Sequence, residues 1–262
     1  MANVERKNSD LHQETVRLNK FLALAGIGSR RSNDELIRSG AVQVNGRPIH
    51  ELGTKVDPRS DRVTVHGQQV GMEEKKVYLL FNKPKDCITT VKDERNRTTV
   101  LSYVRVKQRI YPVGRLDRNT TGVLLLTNDG ELALALTHPR YEIERVYRVV
   151  LDRPIEDADI AKIKKGIKLE DGVAKVLAVE VIPKEKRRKL FISLHEGKNR
   201  EVRRIFEALE YEVSQLERLA FAGLTASGLK RGEWRKLNQK EVEHLKGLGE
   251  KVGSKKGRSV SE

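Results

Sequence analysis

Short turns between apolar runs constrain this 262-residue chain more than any other feature. Over residues 77–247, strands are expected at 77–81 (VYLLF), 87–91, 109–113, 123–127 (VLLLT), 145–151, 173–182, 189–195 and 212–219. Helices are expected at about 99–107, 131–137, 156–165, 199–209 and 239–246. Neighbouring strands are often joined by short turns such as Asn128-Asp129-Gly130 and the basic PKEKRRK. The pattern predicts an α+β domain with a mainly antiparallel or mixed sheet flanked by helices, and not a doubly wound parallel sheet.

A smaller unit precedes it. Leu18, Phe21, Leu22 and Ala25 fall on one helical face, and Gly26 stops that helix. Gly28-Ser29 makes a turn in which Ser29 can cap a second helix that buries Leu36 and Ile37 and ends at Gly40. Val42 and Val44 alternate before Asn45-Gly46, a strong hairpin signal, and Val63 and Val65 suggest the closing strand. The organisation expected is a disordered tail over 1–15, a small domain over 16–66, a connector over 67–76 with two glycines and a charge cluster, a large domain over 77–247 and a basic disordered tail over 248–262. In the large domain, the spacing of Asn128 and Glu131 reads as a capping box for the helix that follows.

Charge narrows the function. Lys and Arg number 52 against 37 Asp and Glu, a formal charge of +15, so a polyanion is the natural partner. No apolar run is long enough to span a bilayer and MANVERKNSD lacks a signal-peptide core, so membrane is set aside and a cytoplasmic location expected. The single cysteine, Cys87, excludes a disulfide framework, and six scattered histidines offer no metal-ligand spacing. Within the small unit Arg17, Lys20, Arg30, Arg31 and Arg38 share the solvent-facing positions of the helix pair, with only Asp34 and Glu35 as nearby acids. Arg30 and Arg31 at a helix N-terminus oppose the macrodipole, which an external phosphate would offset.

Two stretches of the large unit carry chemistry. In GRLDRNTTG (114–122) a polar loop presents Arg115, Asp117 and Arg118, after which Thr120, Thr121 and Gly122 turn the chain into a buried strand. Flanking cations favour the ionised form of Asp117, although an ordinary loop ion pair is the default for an isolated Leu-Asp-Arg. In HEGKNREVRRIFEAL (195–209), Val202, Ile205, Phe206 and Leu209 form a core stripe. Lys198 and Asn199 lie at the helix start, and Arg200, Arg203 and Arg204 project from its other faces, a ready site for phosphate or carboxylate. Joined, the two stretches would bind a polyanion and hold one carboxylate against it. Composition alone names no reaction.

The stretches LLFNKPKDCITT, VGRLDRNTTGVLLLTNDGELA, ERVYRVVL, HEGKNREVRRIFEAL and LERLAFAGL…GLKRGEWRKL together resemble the bacterial ribosomal pseudouridine synthases of the small-subunit pseudouridine synthase A type and their large-subunit relatives. RLNKFLALAGIGSRRSNDELIRSGAVQVNGRPI (17–49) resembles the small N-terminal α/β RNA-binding domain named after ribosomal small-subunit protein four. The resemblance implies that Asp117 is the nucleophilic aspartate, that Tyr147 stacks on the target base and that Arg203 pairs with the catalytic carboxylate. It implies that Arg115 shapes the loop or contacts RNA. The chain departs from the pattern at Lys85-Asp86, where relatives usually have a glycine, and at Asn33, where they have a small apolar residue.

The expected activity is isomerisation of uridine to pseudouridine in ribosomal RNA by a monomer, with no cofactor and no metal. The stretch THPRYEIERVYRV favours the large-subunit branch. The reaction breaks the N-glycosidic bond, turns the base and rejoins it through carbon, so it needs neither redox step nor co-substrate. Reaching the base requires flipping it out of structured RNA. An alternative is an assembly factor with a relic catalytic domain, against which the intact Asp117–Arg203 set argues. A hydrolytic glycosylase would need an activated water that nothing in the sequence requires.

Overall fold

The computed structural model describes residues 15–71, 75–91, 93–183 and 185–250, with backbone alone at 250. Residues 1–14 and 251–262, on which the two expected tails fall, lie outside the described residues. The chain divides into two units, 1–75 and 76–262.

The first unit comprises β1 (Val16–Arg17), α1 (Leu18–Leu24), α2 (Arg30–Arg38), β2 (Val42–Val44), β3 (Arg47–Pro48), β4 (Lys55–Val56), β5 (Val63–Val65) and β6 (Gln68–Val70). Leu18, Phe21 and Leu22 of α1 and Ile37 of α2 pack on Val42, Val56 and Val63. Ser29 caps α2 by accepting the Ser32 amide at 3.0 Å. Asn45 and Gly46 both take positive φ, 52° and 80°, the conformation that suits a two-residue hairpin turn. Part of the expected connector is strand: His66-Gly67 makes a second tight turn with positive φ, and β6 pairs back onto β5. Asn33 is fully buried, with Nδ2 donating to the Asn19 carbonyl at 3.3 Å.

The second unit is built on a nine-stranded sheet. Its elements are β7 (Tyr78–Lys83), β8 (Tyr111–Pro112), β9 (Thr120–Thr127), α3 (Gly130–Thr137), β10 (Arg145–Leu151), α4 (Asp157–Lys165), β11 (Ile167–Leu169), β12 (Gly172–Ala174), β13 (Ala178–Val181), β14 (Lys189–Leu194), α5 (Glu201–Glu207), β15 (Val213–Phe221), β16 (Leu224–Thr225), β17 (Trp234–Lys236) and α6 (Gln239–Glu250). The main order is β13-β14-β10-β15-β9-β7-β17, with β8 on β9 and β16 on β15. Among the described strands of this sheet every pairing is antiparallel except β9 with β15, which is parallel. The expected mainly antiparallel mixed sheet is therefore present. Both faces are covered, which explains why VLLLT is continuously apolar and not alternating. Leu124 and Leu126 face Ile163 of α4 and Val202, Ile205 and Phe206 of α5. Val123 and Leu125 face Leu132 and Leu136 of α3 and Leu245 of α6.

Several expected elements differ. Residues 87–91 form no strand, only an isolated bridge from Ile88 to Thr99, because the chain turns at Asp86 (φ 58°) and leaves the sheet. The helix expected at 99–107 is one 3-10 turn, Val100–Tyr103, and Val104 returns to an extended backbone; Val100, Val104 and Val106 are β-branched and stiff at χ1. The run 173–182 splits, because β12 folds back on β11 at Gly172 while β13 joins the main sheet. Asp129, not Asn128, caps α3 by accepting the Leu132 amide; Asn128 Oδ1 instead accepts the Val77 amide at 2.8 Å. The last helix continues to residue 250, three residues into the expected tail.

Candidate active site

The loop before β9 is held by its backbone. Gly114 takes φ 71°, Leu116 is buried, and the Thr120 amide donates to the Asp117 carbonyl at 3.0 Å. Beneath the loop lies Lys83, the last residue of β7 and fully buried. Its ammonium donates to the carbonyls of Pro84 (3.1 Å), Asp117 (3.0 Å), Arg118 (3.1 Å) and Thr120 (2.9 Å). Three N–H groups are shared among four acceptors, so the charge is spread over the loop. Burial pulls the Lys83 pKa down to about 8, against the upward pull of Cys87, Asp117 and Asp86. The Asp117 carboxylate makes no hydrogen bond or ion pair with any described residue, so the loop is fixed without using it.

Gly122 lies within β9, two residues past the start of the strand, and is not part of a turn as expected. Its φ is 106°, and a Cβ there would drive into the Arg218 carbonyl. The glycine permits close approach of the parallel pair β9–β15. In register, Gly122 faces Arg218 and Arg218 faces Tyr147, so three strands contribute to one row.

Asp117, Arg115, Tyr147, Lys198 and Arg200 line a single cavity of about 140 Å³, together with Thr120, Arg145, Glu201 and Arg218. Arg145 is buried, and its guanidinium donates to the carbonyls of Ile143 at 2.6 Å and His195. Arg218 is buried too, donating from Nε to the Val123 carbonyl at 2.8 Å and stacking on Phe221 with its Cζ 4.6 Å from the ring centre. Burial lowers the pKa of both guanidinium groups, against an upward pull from Tyr147 on each. Glu201 caps the turn into α5, accepting the Lys198 amide at 3.0 Å, and burial pushes its carboxyl up. Among the described residues no three His, Cys, Asp or Glu side chains converge as a metal-binding set.

Other expected residues go elsewhere. Arg203 lines a neighbouring cavity and donates from Nη1 to the Val213 carbonyl at 2.7 Å. Burial and Arg200 lower its pKa, and the charge of Asp117 opposes them, so the two groups lie within electrostatic reach without an ion pair. Arg118 pairs with exposed Asp86 at 3.1 Å, and Arg204 grips Asp171 with two bonds of 2.8 and 2.9 Å. Asn199 is exposed, and Arg200 pairs with Glu207 at 3.0 Å. In the first unit Arg17, Arg30, Arg31 and Arg38 are exposed and Lys20 is half-buried, while Asp34 accepts from Asn19 at 2.8 Å.

Lys83, Arg145, Glu201 and Arg218 were not singled out by sequence. The alternation in RVYRVVL places Arg145 on the face of buried Tyr147, and a lysine closing the apolar run LLFNK marks a charge carried into the core. Glu201 and Arg218 carry no comparable signal. Residues 77–208 match the family model described as RNA pseudouridylate synthase, and residues 16–63 match the S4 domain. A relative from Bacillus subtilis, ribosomal large subunit pseudouridine synthase B, is 42% identical over 89% of this chain and 97% of its own.

The chain belongs to the RNA pseudouridylate synthase family.

A second pseudouridine synthase, an uncharacterised RNA pseudouridine synthase from Aquifex aeolicus, is 39% identical over 93% of this chain and 99% of its own. A crystal structure described as a pseudouridylate synthase superposes with a TM-score of 0.64 at 28% identity, covering 88% of this chain and 99% of that one. This pseudouridine synthase thus joins an S4 domain to the family's catalytic fold.

Proposed function

We propose that the protein converts uridine to pseudouridine in ribosomal RNA of the large subunit, acting as a cytoplasmic monomer with Asp117 as its catalytic group and no cofactor. The observation that carries this reading is the Asp117 carboxylate, unpartnered on a loop clamped by Lys83 and facing a cavity with Tyr147. A carboxylate kept free while its backbone is fixed is preorganised to act on the sugar or the base. A cavity of about 140 Å³ suits a single flipped base with its ribose outside. Tyr147 supplies the stacking surface, and Arg203 supplies charge that orients Asp117. Arg115, Lys198 and Arg200 at the cavity, with the arginines of the first unit, meet phosphates. The Bacillus subtilis relative's name supports the large subunit as substrate.

The test compares wild type with Asp117→Asn on unmodified ribosomal RNA, mapping pseudouridine by carbodiimide treatment and primer extension. Wild type is expected to produce a defined stop and Asp117→Asn none, with RNA binding kept. Equal activity of the two proteins refutes the role of Asp117, and a wild type without product refutes the enzyme.

A further inference from the structure

The wall of the Asp117 cavity holds more buried positive charge than it neutralises. Arg145 and Arg218 are 8% and 3% exposed, and neither forms an ion pair with a described carboxylate. Arg218 lies close enough to depress the ionisation of Arg145, while Tyr147 and the buried carboxylate of Glu201 favour it. Arg145 is occupied by carbonyls. Arg218 is not fully occupied: Nε is bound to Val123 and the Tyr147 side chain lies within reach of the guanidinium, but Nη2 is buried without a partner. Two further buried polar atoms of the same cavity, Thr120 Oγ1 and Glu201 Oε1, also lack partners. A buried cation with an unused N–H is strongly unfavourable in a fold unless something else completes it. A group that enters the cavity can supply the complement.

The chemistry supplies such a group. Breaking the bond from C1′ to N1 leaves the electron pair on the base, a uracil anion whose charge spreads to its two carbonyl oxygens. The base turns, C5 bonds to C1′, the C5 proton leaves and N1 takes up a proton, so the sequence balances with no oxidant or reductant. Between cleavage and rejoining, the anion needs a fixed counter-charge out of water. We infer that Arg218 is a further catalytic residue, donating from its guanidinium to a carbonyl oxygen of the detached base and stabilising the negative charge formed as the glycosidic bond breaks. Its position suits that role. Arg218 lies directly across from Tyr147 in the strand register, so the tyrosine that stacks on the base and the cation that holds its charge share one row. The stack on Phe221 and the bond to Val123 fix the guanidinium in advance, which makes it effective at developing charge.

This inference rests on the proposed reaction, and leaving-group chemistry separates the two. Fluorine at C5 withdraws electrons and stabilises the base anion, so 5-fluorouridine depends less on an external cation. Ribosomal RNA is transcribed with uridine or with 5-fluorouridine throughout and treated with wild type or Arg218→Met at saturating enzyme. Nuclease digestion and chromatography then separate C-linked from N-linked nucleosides. Fluorine at C5 leaves no proton to lose, so on that RNA the C-linked product is read as its hydrate, water adding across N1=C6 with hydroxyl at C6 and hydrogen at N1. Arg218→Met is expected to slow single-turnover conversion of uridine RNA by about 100- to 1000-fold, the loss seen when one such donor is removed. On 5-fluorouridine RNA the loss shrinks at least about tenfold by the same logic. An equal loss on both RNAs, or no loss, overturns the role. Melting and RNA affinity are measured alongside. Should Arg218→Met melt below the assay temperature, Arg218→Gln, which can still donate to Val123, is read in the same way. Wild-type failure on both RNAs overturns the reaction on which the inference stands.

Discussion

Lys83 fixes the conformation of the loop that presents Asp117, and its own ionisation sets a pH limit on that arrangement. Its folded pKa of about 8 lies below the ordinary 10.5, so between those values the unfolded chain binds more protons at this position. Stability from this residue therefore rises with pH across that window. The loop behaves oppositely. Loss of the proton removes one of the N–H groups shared among four carbonyls, so the loop loosens as pH rises through about 8. Single-turnover rate at saturating RNA is expected to fall over that range while the melting temperature does not follow it. Lys83→Met should be slower by about 100-fold, the effect of a misplaced catalytic group, and should lack the limb near pH 8. A pH–rate profile of both proteins decides this. The charge of Lys83 was visible in the sequence, but its four acceptors were not. They are carbonyls 34 to 37 residues away for three of the four, and backbone groups leave no residue-type signature.

At the scale of elements, the parallel contact of β9 with β15 organises the site, and Gly122 is where it is tightest. Gly122→Ala combines φ 106° with a clash against the Arg218 carbonyl, neither of which a side-chain rotation relieves. The substitution is expected to cost about 1–3 kcal/mol or more from backbone strain, read as a lower midpoint in urea with an unchanged slope. The elements that the sequence made legible were those with a dense apolar run: β7, β9, β10 and β14 stand within a few residues of their expected ends. The strand expected at 87–91 and the helix expected at 99–107 failed for one reason. Their apolar residues, Cys87, Val100 and Val104, and Ile110 just beyond them, cover one face of the sheet as a loop, and burial of that kind has no period. β16 and β17 went unread because strands of two and three residues are too short to show a pattern.

Across the whole molecule, positive charge divides into an engaged set and a free set. In the second unit many cations are engaged within the protein, as in Arg204 with Asp171, Arg200 with Glu207 and Arg148 with Glu217. The exposed Arg30 and Arg31 at the start of α2 form no ion pair with described residues, and that helix carries no acid in its first turn. Reversing both to Glu should weaken RNA binding and reduce the slope of log affinity against log salt by about 2, one unit for each phosphate no longer neutralised. A titration by fluorescence anisotropy at several salt concentrations reads this directly, and an unchanged slope refutes phosphate binding by the pair. The arginines of the first unit were legible because exposed charge needs no tertiary information. The buried pair Arg145 and Arg218 was not, since a sequence does not say which arginines lie inside.

The order of strands also bears on when the enzyme becomes competent. Arg218 binds the carbonyl of Val123, a contact spanning 95 residues, and β9 has no parallel neighbour until β15 exists. A chain emerging from its N-terminus would display Asp117 and its lysine clamp while the opposite wall was still unsynthesised. The site therefore closes late, and fragments that end before β15 should carry Asp117 on a scaffold that lacks its facing wall.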